Sequence, residues 1–422
     1  WGGAGTNMCR LAGGDGKPVL VLTEYPQFPW ALTSLPGVDL RTTVADIVMS
    51  GGGPWFAWYG PGVGDERGLK HIAEAFGELD SAGVGLDGLE VAAEVAVLHS
   101  RSTMDRYGLG QVRDRALDEV LGVYKALLER QVPVAVISDE HLTKESLARF
   151  KVLVLPNAAC MTDAARGAIA DFVGRGGGLV STYESGLYDE HGHPARAGVL
   201  DRALGVRRSR RSTEIGIGYL KITHPQEVSP GIDDKVLVPY RERQIGMAPG
   251  QRATVIARTM SGINTFGPPP GDEDLAPAMV VAHHRAGRSF TFAGNVGLQY
   301  YRYHSPEIGE FIAGAVRWAA STPLSLSFAG APSTVGANLW RRADGARVVM
   351  LVNYNTTNSL YAPSLLPVHD LEFTLRWGAG AERVRAWSVT ENVEMTTSVL
   401  GEMVTVKVPR LEYFAAIAFQ QS

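Results

Sequence analysis

Cysteine and long apolar runs are scarce in this sequence of 422 residues. The only two cysteines, Cys9 and Cys160, indicate no disulfide framework, so a reducing compartment, the cytoplasm, is expected. No apolar run reaches the roughly 18 to 20 residues of a membrane-spanning helix, and no signal peptide is visible. Because the chain begins with Trp1 rather than Met, we expect a truncated or processed start.

A strong charge of either sign is also missing. The formal net charge is -4, which gives no indication of a polyanionic partner. No basic run is interleaved with aromatic residues, so nucleic-acid binding is not expected. The one basic cluster comprises Arg207, Arg208, Arg210 and Arg211, and it is predicted to be a solvated loop.

Residues 184–193 are rich in acidic side chains and histidine. Glu184, Asp189 and Glu190 stand close to His191 and His193, but their spacing is not that of a metal site. We expect a solvated loop that follows a strand. The sequence predicts neither a metal nor a cofactor.

The first 60 residues predict a strand, a helix and a second strand. Residues 19–23 are a continuous apolar run typical of a strand buried on both faces. Apolar residues at helical spacing follow at 39–49, glycines end that helix, and residues 54–59 form the next strand. This pattern is a βαβ unit.

Strands and helices then alternate strictly, which predicts a parallel sheet in a doubly wound domain. The predicted strands are 94–98, 133–137, 151–155 and 179–182, and the predicted helices are 112–130, 143–149 and 162–173. Residues 205–290 look rich in strands, and strand 288–293 with helix 306–320 closes the domain. After Pro323, the runs 347–352, 383–388 and 403–408 predict an antiparallel β-domain.

Glu24 is the first candidate for chemistry, because it directly follows the apolar strand 19–23. In a barrel, such a carboxylate stands at the carboxyl end of a strand, where barrel enzymes place catalytic groups. Aromatic residues that can stack on sugar rings surround it in the sequence: Tyr25, Trp30, Trp55 and Trp58. The alternative is an acidic strand-end residue above an aromatic core.

Two stretches resemble the last two barrel strands of family 42 β-galactosidases and related glycosyl hydrolases. They are Leu22-Thr-Glu-Tyr-Pro-Gln-Phe-Pro-Trp30 and Ser50-Gly-Gly-Gly-Pro-Trp-Phe-Ala-Trp-Tyr-Gly60. The family has an Arg-rich end of strand eight where this chain has Trp58-Tyr59-Gly60. It is therefore similar to the uncharacterised branch of these hydrolases rather than to known β-galactosidases.

The middle of the chain resembles the trimerisation domain of the same family, a relative of class I glutamine amidotransferases. The matching stretches include 134–139, 152–162, 176–205 and 287–318. The resemblance implies an α/β fold in three parts. These are the C-terminal part of a catalytic (β/α)₈ barrel (1–85), a flavodoxin-like trimerisation domain (86–322) and a C-terminal β-sandwich domain (323–422). It also implies a homo-oligomer, often a trimer, whose middle domain can approach a neighbouring subunit's active site.

The resemblance implies a retaining glycoside hydrolase that needs no cofactor. Glu24 matches the nucleophile, and Tyr25, Trp30, Trp55 and Trp58 would bind the carbohydrate substrate. The acid/base glutamate of the family ends an earlier strand, and no residue of this chain matches it. An N-terminal barrel portion or a companion chain would then supply it.

Two other functions remain open. The first is a catalytically silent relative that binds carbohydrate or serves assembly. The second is an amidotransferase-like hydrolase with Cys160 as nucleophile, although Cys160 lacks the sharp Gly-x-Cys-x-Gly turn that this chemistry needs.

Overall fold

A computed structural model of the chain describes residues 20–22, 35–56, 67–86, 88–195, 198–224, 236–261, 276–356 and 364–421. The chain divides into two units, and each is described by itself. Unit 1 comprises Trp1–Ala93, Leu128–Ala135 and Ser325–Ser422. Unit 2 comprises Glu94–Leu127 and Val136–Leu324.

The α-helices of the described part are numbered in chain order. They are α1 (Gly37–Met49), α2 (Arg67–Leu86), α3 (Asp118–Leu128), α4 (Lys144–Leu147), α5 (Asp163–Gly174), α6 (Val199–Leu204), α7 (Val296–Tyr303) and α8 (Pro306–Ala319).

Unit 1 begins with the predicted βαβ arrangement. Strands β1 (Leu20–Leu22) and β2 (Gly53–Trp55) pair in parallel, with Leu22 opposite Trp55. Helix α1 connects them in the sequence, and ion pairs from Arg41 to Glu74 and Glu78 tie it to α2. The carboxyl ends of the two strands are therefore adjacent.

The C-terminal part of unit 1 forms two antiparallel sheets. One has the order β13-β16-β20-β19, and the other has the order β18-β17-β21-β15-β14-β3. Their strands are β3 (Glu90–Val91), β13 (Leu326–Ala329), β14 (Val335–Arg341), β15 (Arg347–Asn353), β16 (Val368–Arg376), β17 (Val384–Ser388), β18 (Val393–Met395), β19 (Thr397–Leu400), β20 (Met403–Leu411) and β21 (Phe414–Gln421).

One apolar cluster joins the two antiparallel sheets. Alternate residues of β16, such as Leu371, Phe373 and Leu375, are buried against residues of the other sheet, such as Phe419. This alternation is what a strand with one buried face requires. The opposite face of the six-stranded sheet is covered by α1, whose Met49 packs with Trp340.

Unit 2 is built on one sheet with the order β5-β4-β6-β7-β12-β11-β10-β8-β9. The strands are β4 (Val95–Leu98), β5 (Val134–Ile137), β6 (Val152–Leu155), β7 (Gly178–Thr182), β8 (Val206–Ile222), β9 (Leu237–Pro249), β10 (Ala253–Ser261), β11 (Ala276–His284) and β12 (Gly287–Phe292). Strands β4, β6, β7 and β12 pair in parallel. From β12 onward the pairing is antiparallel.

Local sequence signals explain several helix boundaries. The hydroxyl of Thr162 accepts a hydrogen bond from the N–H of Ala165 at 3.1 Å and so caps α5 as predicted. Proline at the first position starts α8, where its missing N–H costs nothing. Gly205 ends α6 in the left-handed conformation.

One predicted helix differs from the observed structure. The apolar pattern predicts a continuous helix over 112–130, but Arg113–Leu117 is a π-helical turn and only Asp118–Leu128 is α-helical. A second π-helical turn, Thr103–Tyr107, precedes it. Such turns often mark functional sites.

Candidate functional site

The structure places one residue of the predicted sugar site. Trp55 ends β2 directly opposite Leu22, and 51% of its surface is exposed. Its indole is thus available for contact with a ligand. Glu24, Tyr25, Trp30 and Trp58 lie outside the described residues.

A group of hydrogen-bonded polar side chains lies at the carboxyl end of β7 in unit 2. Glu184 is only 4% exposed, and its Oε2 accepts a hydrogen bond of 2.6 Å from the hydroxyl of Tyr107. Tyr188 donates a longer bond of 3.4 Å to Oε1. The prediction of a solvated loop at Glu184 is therefore wrong, because the π-helical turn that carries Tyr107 covers this carboxyl.

Burial dominates the electrostatics of this group. It raises the pKa of Glu184 above its ordinary value, although the two tyrosine hydroxyls and the charges of Arg243 and Arg115 oppose this rise. Burial and the neighbouring carboxylate also raise the pKa of Tyr107. Both groups therefore keep their protons more readily than exposed groups of the same kind.

Two residues next to this group have an unusual backbone. Asn157 follows β6 with a φ of 42°, and Tyr183 follows β7 with a φ of 47°. Residues other than glycine rarely adopt such angles, and those that do concentrate at functional sites. Asn157 is held by a bond of 2.7 Å from its Nδ2 to the carbonyl of Arg115, and Tyr183 by a bond of 2.6 Å to Ser212.

Glu119 is a second buried carboxyl of unit 2. Its oxygens accept bonds of 2.6 Å from the hydroxyl of Thr182 and from the backbone N–H of Leu298 in the first turn of α7. Burial raises its pKa to about 7, against the opposing effect of those bonds. A carboxylate at this position compensates the free N–H groups in the first turn of α7.

The close approach of α3 and α7 explains the glycines at this contact. A Cβ atom on Gly122 would lie 1.8 Å from the carbonyl oxygen of Gly297. A Cβ atom on Gly297 would lie 2.3 Å from the carbonyl oxygen of Glu119. Only glycine allows the two backbones to meet, and this contact brings Glu119 to the end of α7.

The predicted basic cluster is not a loop, although Arg207, Arg210 and Arg211 are exposed as expected. It lies on β8, and Arg208 is 7% exposed. Its Nε donates to Asp201 at 2.7 Å and its Nη1 to the carbonyl of Ser185 at 2.7 Å. The sequence pattern missed this because the partners come from α6 and from the loop after β7.

Cys160 lies five residues after the end of β6 and forms an isolated parallel bridge with Tyr188. The thiol is fully buried, and burial raises its pKa to about 11, so it is protonated at neutral pH. The backbone N–H of Cys160 donates to Thr103 at 3.0 Å. These features belong to a structural residue and argue against a nucleophile.

Two kinds of feature are absent from the described residues. No cluster of three or more His, Cys, Asp or Glu side chains within them is arranged to hold a metal ion. None of the described helices combines the length and apolarity needed to span a membrane.

Together, the two units define an α/β protein that carries an antiparallel β-domain. Residues 93–213 match the family model of the β-galactosidase trimerisation domain. The resemblance inferred from the sequence is thus confirmed: residues 93–213 match a domain of family 42 β-galactosidases, and the chain resembles the C-terminal portion of such proteins. No curated protein matches the chain in sequence.

Solved structures share the fold over nearly the whole chain. α-L-Fucosidase isoenzyme 2 from Paenibacillus thiaminolyticus superposes with a TM-score of 0.79 at 17% identity, over 99% of this chain and 62% of that one. The β-galactosidase from Bacillus circulans sp. alkalophilus superposes with a TM-score of 0.65 at 18% identity, over 99% of this chain and 57% of that one. A catalytic mutant of Gan42B, a GH42 β-galactosidase from G. stearothermophilus, superposes with a TM-score of 0.65 at 16% identity, over 100% of this chain and 56% of that one. This chain therefore spans less than two thirds of each of these proteins.

Proposed function

We propose that the chain is the C-terminal portion of a retaining glycoside hydrolase and that Glu24 is its nucleophile. The observation that carries the proposal is the parallel pair of β1 and β2, whose carboxyl ends meet at Leu22 and Trp55. Glu24 follows Leu22 by two positions, and Trp55 offers an exposed indole. A (β/α)₈ barrel uses this edge of its strands for catalysis.

The mechanism that we propose is double displacement. The carboxylate of Glu24 attacks the anomeric carbon while an acid/base glutamate outside this chain protonates the leaving oxygen, so the glycosidic bond breaks and a glycosyl ester forms. Water, deprotonated by the same acid/base residue, then releases the sugar and frees Glu24. Tyr25, Trp30, Trp55 and Trp58 would hold the sugar by stacking on its C–H faces.

The domain organisation is part of the proposal. We assign residues 1–85 to the end of the barrel, 86–322 to a flavodoxin-like trimerisation domain and 323–422 to a β-sandwich domain. Counted in chain order, the strands β5-β4-β6-β7-β12 run 2-1-3-4-5, which is the flavodoxin-like order and supports the second assignment. A cytoplasmic trimer is the expected form of the whole protein.

The test uses the full-length natural protein and a panel of aryl β-glycosides. Glu24→Gln should lower the hydrolysis rate by several orders of magnitude, because it removes the nucleophile but keeps the side-chain shape. A 2-fluoro glycoside should add its sugar mass to the peptide that contains Glu24. The matched control is Asp80→Asn, an exposed carboxyl on α2. Full activity of Glu24→Gln, or a label on another residue, would contradict the assignment.

The alternative is a catalytically silent protein for carbohydrate binding or assembly. The match of residues 93–213 to a trimerisation domain supports an assembly role independently of Glu24. The intact mass of the natural polypeptide, measured with light scattering of the assembled protein, distinguishes the two. A trimer that binds sugars but hydrolyses none, with no upstream carboxyl near Glu24, would favour the alternative.

A further inference from the structure

The last turn of α1 ends in two backbone hydrogen bonds that leave the carbonyl of Met49 aside. The N–H of Gly52 donates to the carbonyl of Ile47 at 2.9 Å, and the N–H of Gly51 donates to the carbonyl of Val48 at 2.8 Å. These bonds form a Schellman motif, with Gly51 in the left-handed conformation at a φ of 80°. Met49 is 1% exposed, so its carbonyl needs a partner from another part of the fold.

The antiparallel sheets of unit 1 supply this partner from two side chains of β14. Nε1 of Trp340 donates to the carbonyl of Met49 at 3.1 Å, and Nδ2 of Asn338 donates to it at 3.3 Å. The two donors lie on the same face of β14, because alternate residues of a strand share a face. One turn earlier in α1, Asp46 accepts a bond of 2.7 Å from the hydroxyl of Tyr354, which follows β15. Three side chains of these sheets therefore hold the end of α1.

The position of this helix end determines where β2 begins. The Schellman turn leads directly into β2, and Trp55 follows Met49 by six positions. Within the described residues, β2 is three residues long and belongs to a two-stranded sheet with β1. Such a short ladder has little stability of its own. The indole of Trp55 is 51% exposed, so packing around it does not fix its position either.

The chemistry of the contact favours accurate placement over mere adhesion. Apolar packing between α1 and β14, such as that of Met49 on Trp340, stabilises the contact without joining one atom to another. Two buried donors that converge on one carbonyl oxygen specify a single arrangement, since any shift leaves a buried polar group unsatisfied.

We propose that Asn338 and Trp340 are positioning residues of the sugar site. They hold the carbonyl of Met49, fix the start of β2 and thereby place Trp55 for stacking on the sugar, without contact with the substrate themselves. This inference rests on the function proposed for Trp55. It predicts that sugar affinity depends on the antiparallel sheets more than the chemical step does, because these bonds hold the segment that leads to β2 and not β1, which Glu24 follows.

Kinetics of the full-length natural protein on the aryl β-glycoside that it cleaves fastest test this division. Asn338→Leu and Trp340→Phe each remove one donor to Met49 and retain a side chain that packs. Each should raise KM by about three- to tenfold and change kcat by less than about twofold. Val349→Ala is the matched control, because Val349 is buried on the opposite face of the six-stranded sheet, and it should leave KM unchanged.

A double-mutant cycle separates positioning from a general loss of stability. If Asn338 acts through Trp55, Asn338→Leu should have little further effect on KM once Trp55→Ala has removed the stacking surface. A general loss of stability would raise KM by the same factor in both backgrounds. Such additivity, or a fall of kcat as large as the rise of KM, would overturn the proposal.

Fluorine NMR of protein labelled with 5-fluorotryptophan gives a measurement that needs no activity. The resonance of Trp55, identified by its loss in Trp55→Phe, should shift or broaden in Asn338→Leu and stay unchanged in Val349→Ala. If the wild type cleaves no glycoside, the proposed hydrolase function fails, and this resonance alone decides whether Trp55 is positioned from β14. An unchanged Trp55 resonance in Asn338→Leu would overturn the inference.

Discussion

The interior of the antiparallel sheets and the carboxyl edge of the parallel strands are equally buried, but they differ in chemistry. Phe373 lies between Phe328 and Phe419, with ring centroids 5.4 and 6.0 Å away. At the carboxyl edge, Glu119 and Glu184 are as deeply buried as these rings, and each is held by hydrogen bonds. The first region is stabilised by apolar area, and the second by the satisfaction of polar groups.

This difference determines how each region responds to change. Loss of an apolar side chain costs transfer energy and leaves a cavity, and neither effect depends on pH. Loss of a hydrogen bond to a buried carboxyl leaves a polar group unsatisfied, and its cost depends on the protonation state. Substitutions in the two regions should therefore differ in size and in pH dependence.

The largest effect is expected in the apolar region. Phe373→Ala should lower the free energy of unfolding of unit 1 by about 4 kcal/mol, independently of pH between 5 and 8. Hydrogen exchange of the β13–β21 segments measures it. Leu400→Ala, on an exposed apolar residue of the same sheet, is the control and should change stability by less than about 0.5 kcal/mol. Equal effects of the two would refute the description of this core.

Glu119 should make the stability of unit 2 depend on pH. Its pKa is about 7 in the folded state and 4.5 ordinarily, so the folded state binds more protons between these values. The resulting stabilisation is complete below pH 4.5 and is lost as the pH rises to 7, by roughly 3 kcal/mol.

Glu119→Gln tests this dependence, because the amide imitates the protonated carboxyl. It can donate to Thr182 and still accept from Leu298. Urea unfolding of unit 2 at pH 5 and at pH 7 should show a smaller difference in the variant than in the wild type. An unchanged difference would mean that another group carries the pH dependence.

The smallest effect is expected at Tyr107. Tyr107→Phe removes the 2.6 Å bond to buried Glu184 and should lower the free energy of unfolding of unit 2 by about 1 to 2 kcal/mol. Tyr303→Phe is the matched control, because that hydroxyl bonds to Glu242 at 3.0 Å on the surface. A cost at Tyr303 as large as that at Tyr107 would show that burial of the carboxyl is not the cause.

Much of the secondary structure could be predicted because its signals are local. Periodicity predicts a helix at 306–320 and a strand at 347–352, and the structure has Pro306–Ala319 and Arg347–Asn353. The π-helical turn at Arg113–Leu117 was missed, because the apolar spacing on either side of it fits an α-helix.

The polar groups of unit 2 could not be predicted, because their partners are distant in the sequence. Glu184 and Tyr107 are separated by 77 residues, and Arg208 bonds to Ser185 from 23 residues away. Nothing in the acidic run or in the arginine cluster indicates burial by itself. For the sugar site, the structure adds the position and exposure of Trp55, and the assignments of Glu24, Tyr25, Trp30 and Trp58 stay predictions.

The discontinuity of unit 1 has a consequence for the order of events on the ribosome. The carbonyl of Met49 accepts hydrogen bonds from Asn338 and Trp340, which lie 289 and 291 residues later. At a rate of synthesis of about 5 to 20 residues per second, the strand that covers helix α1 is made many seconds after the helix. Meanwhile, all residues of unit 2 have already been synthesised. A nascent chain should therefore expose the apolar face of α1 to chaperones until residues 325–422 emerge.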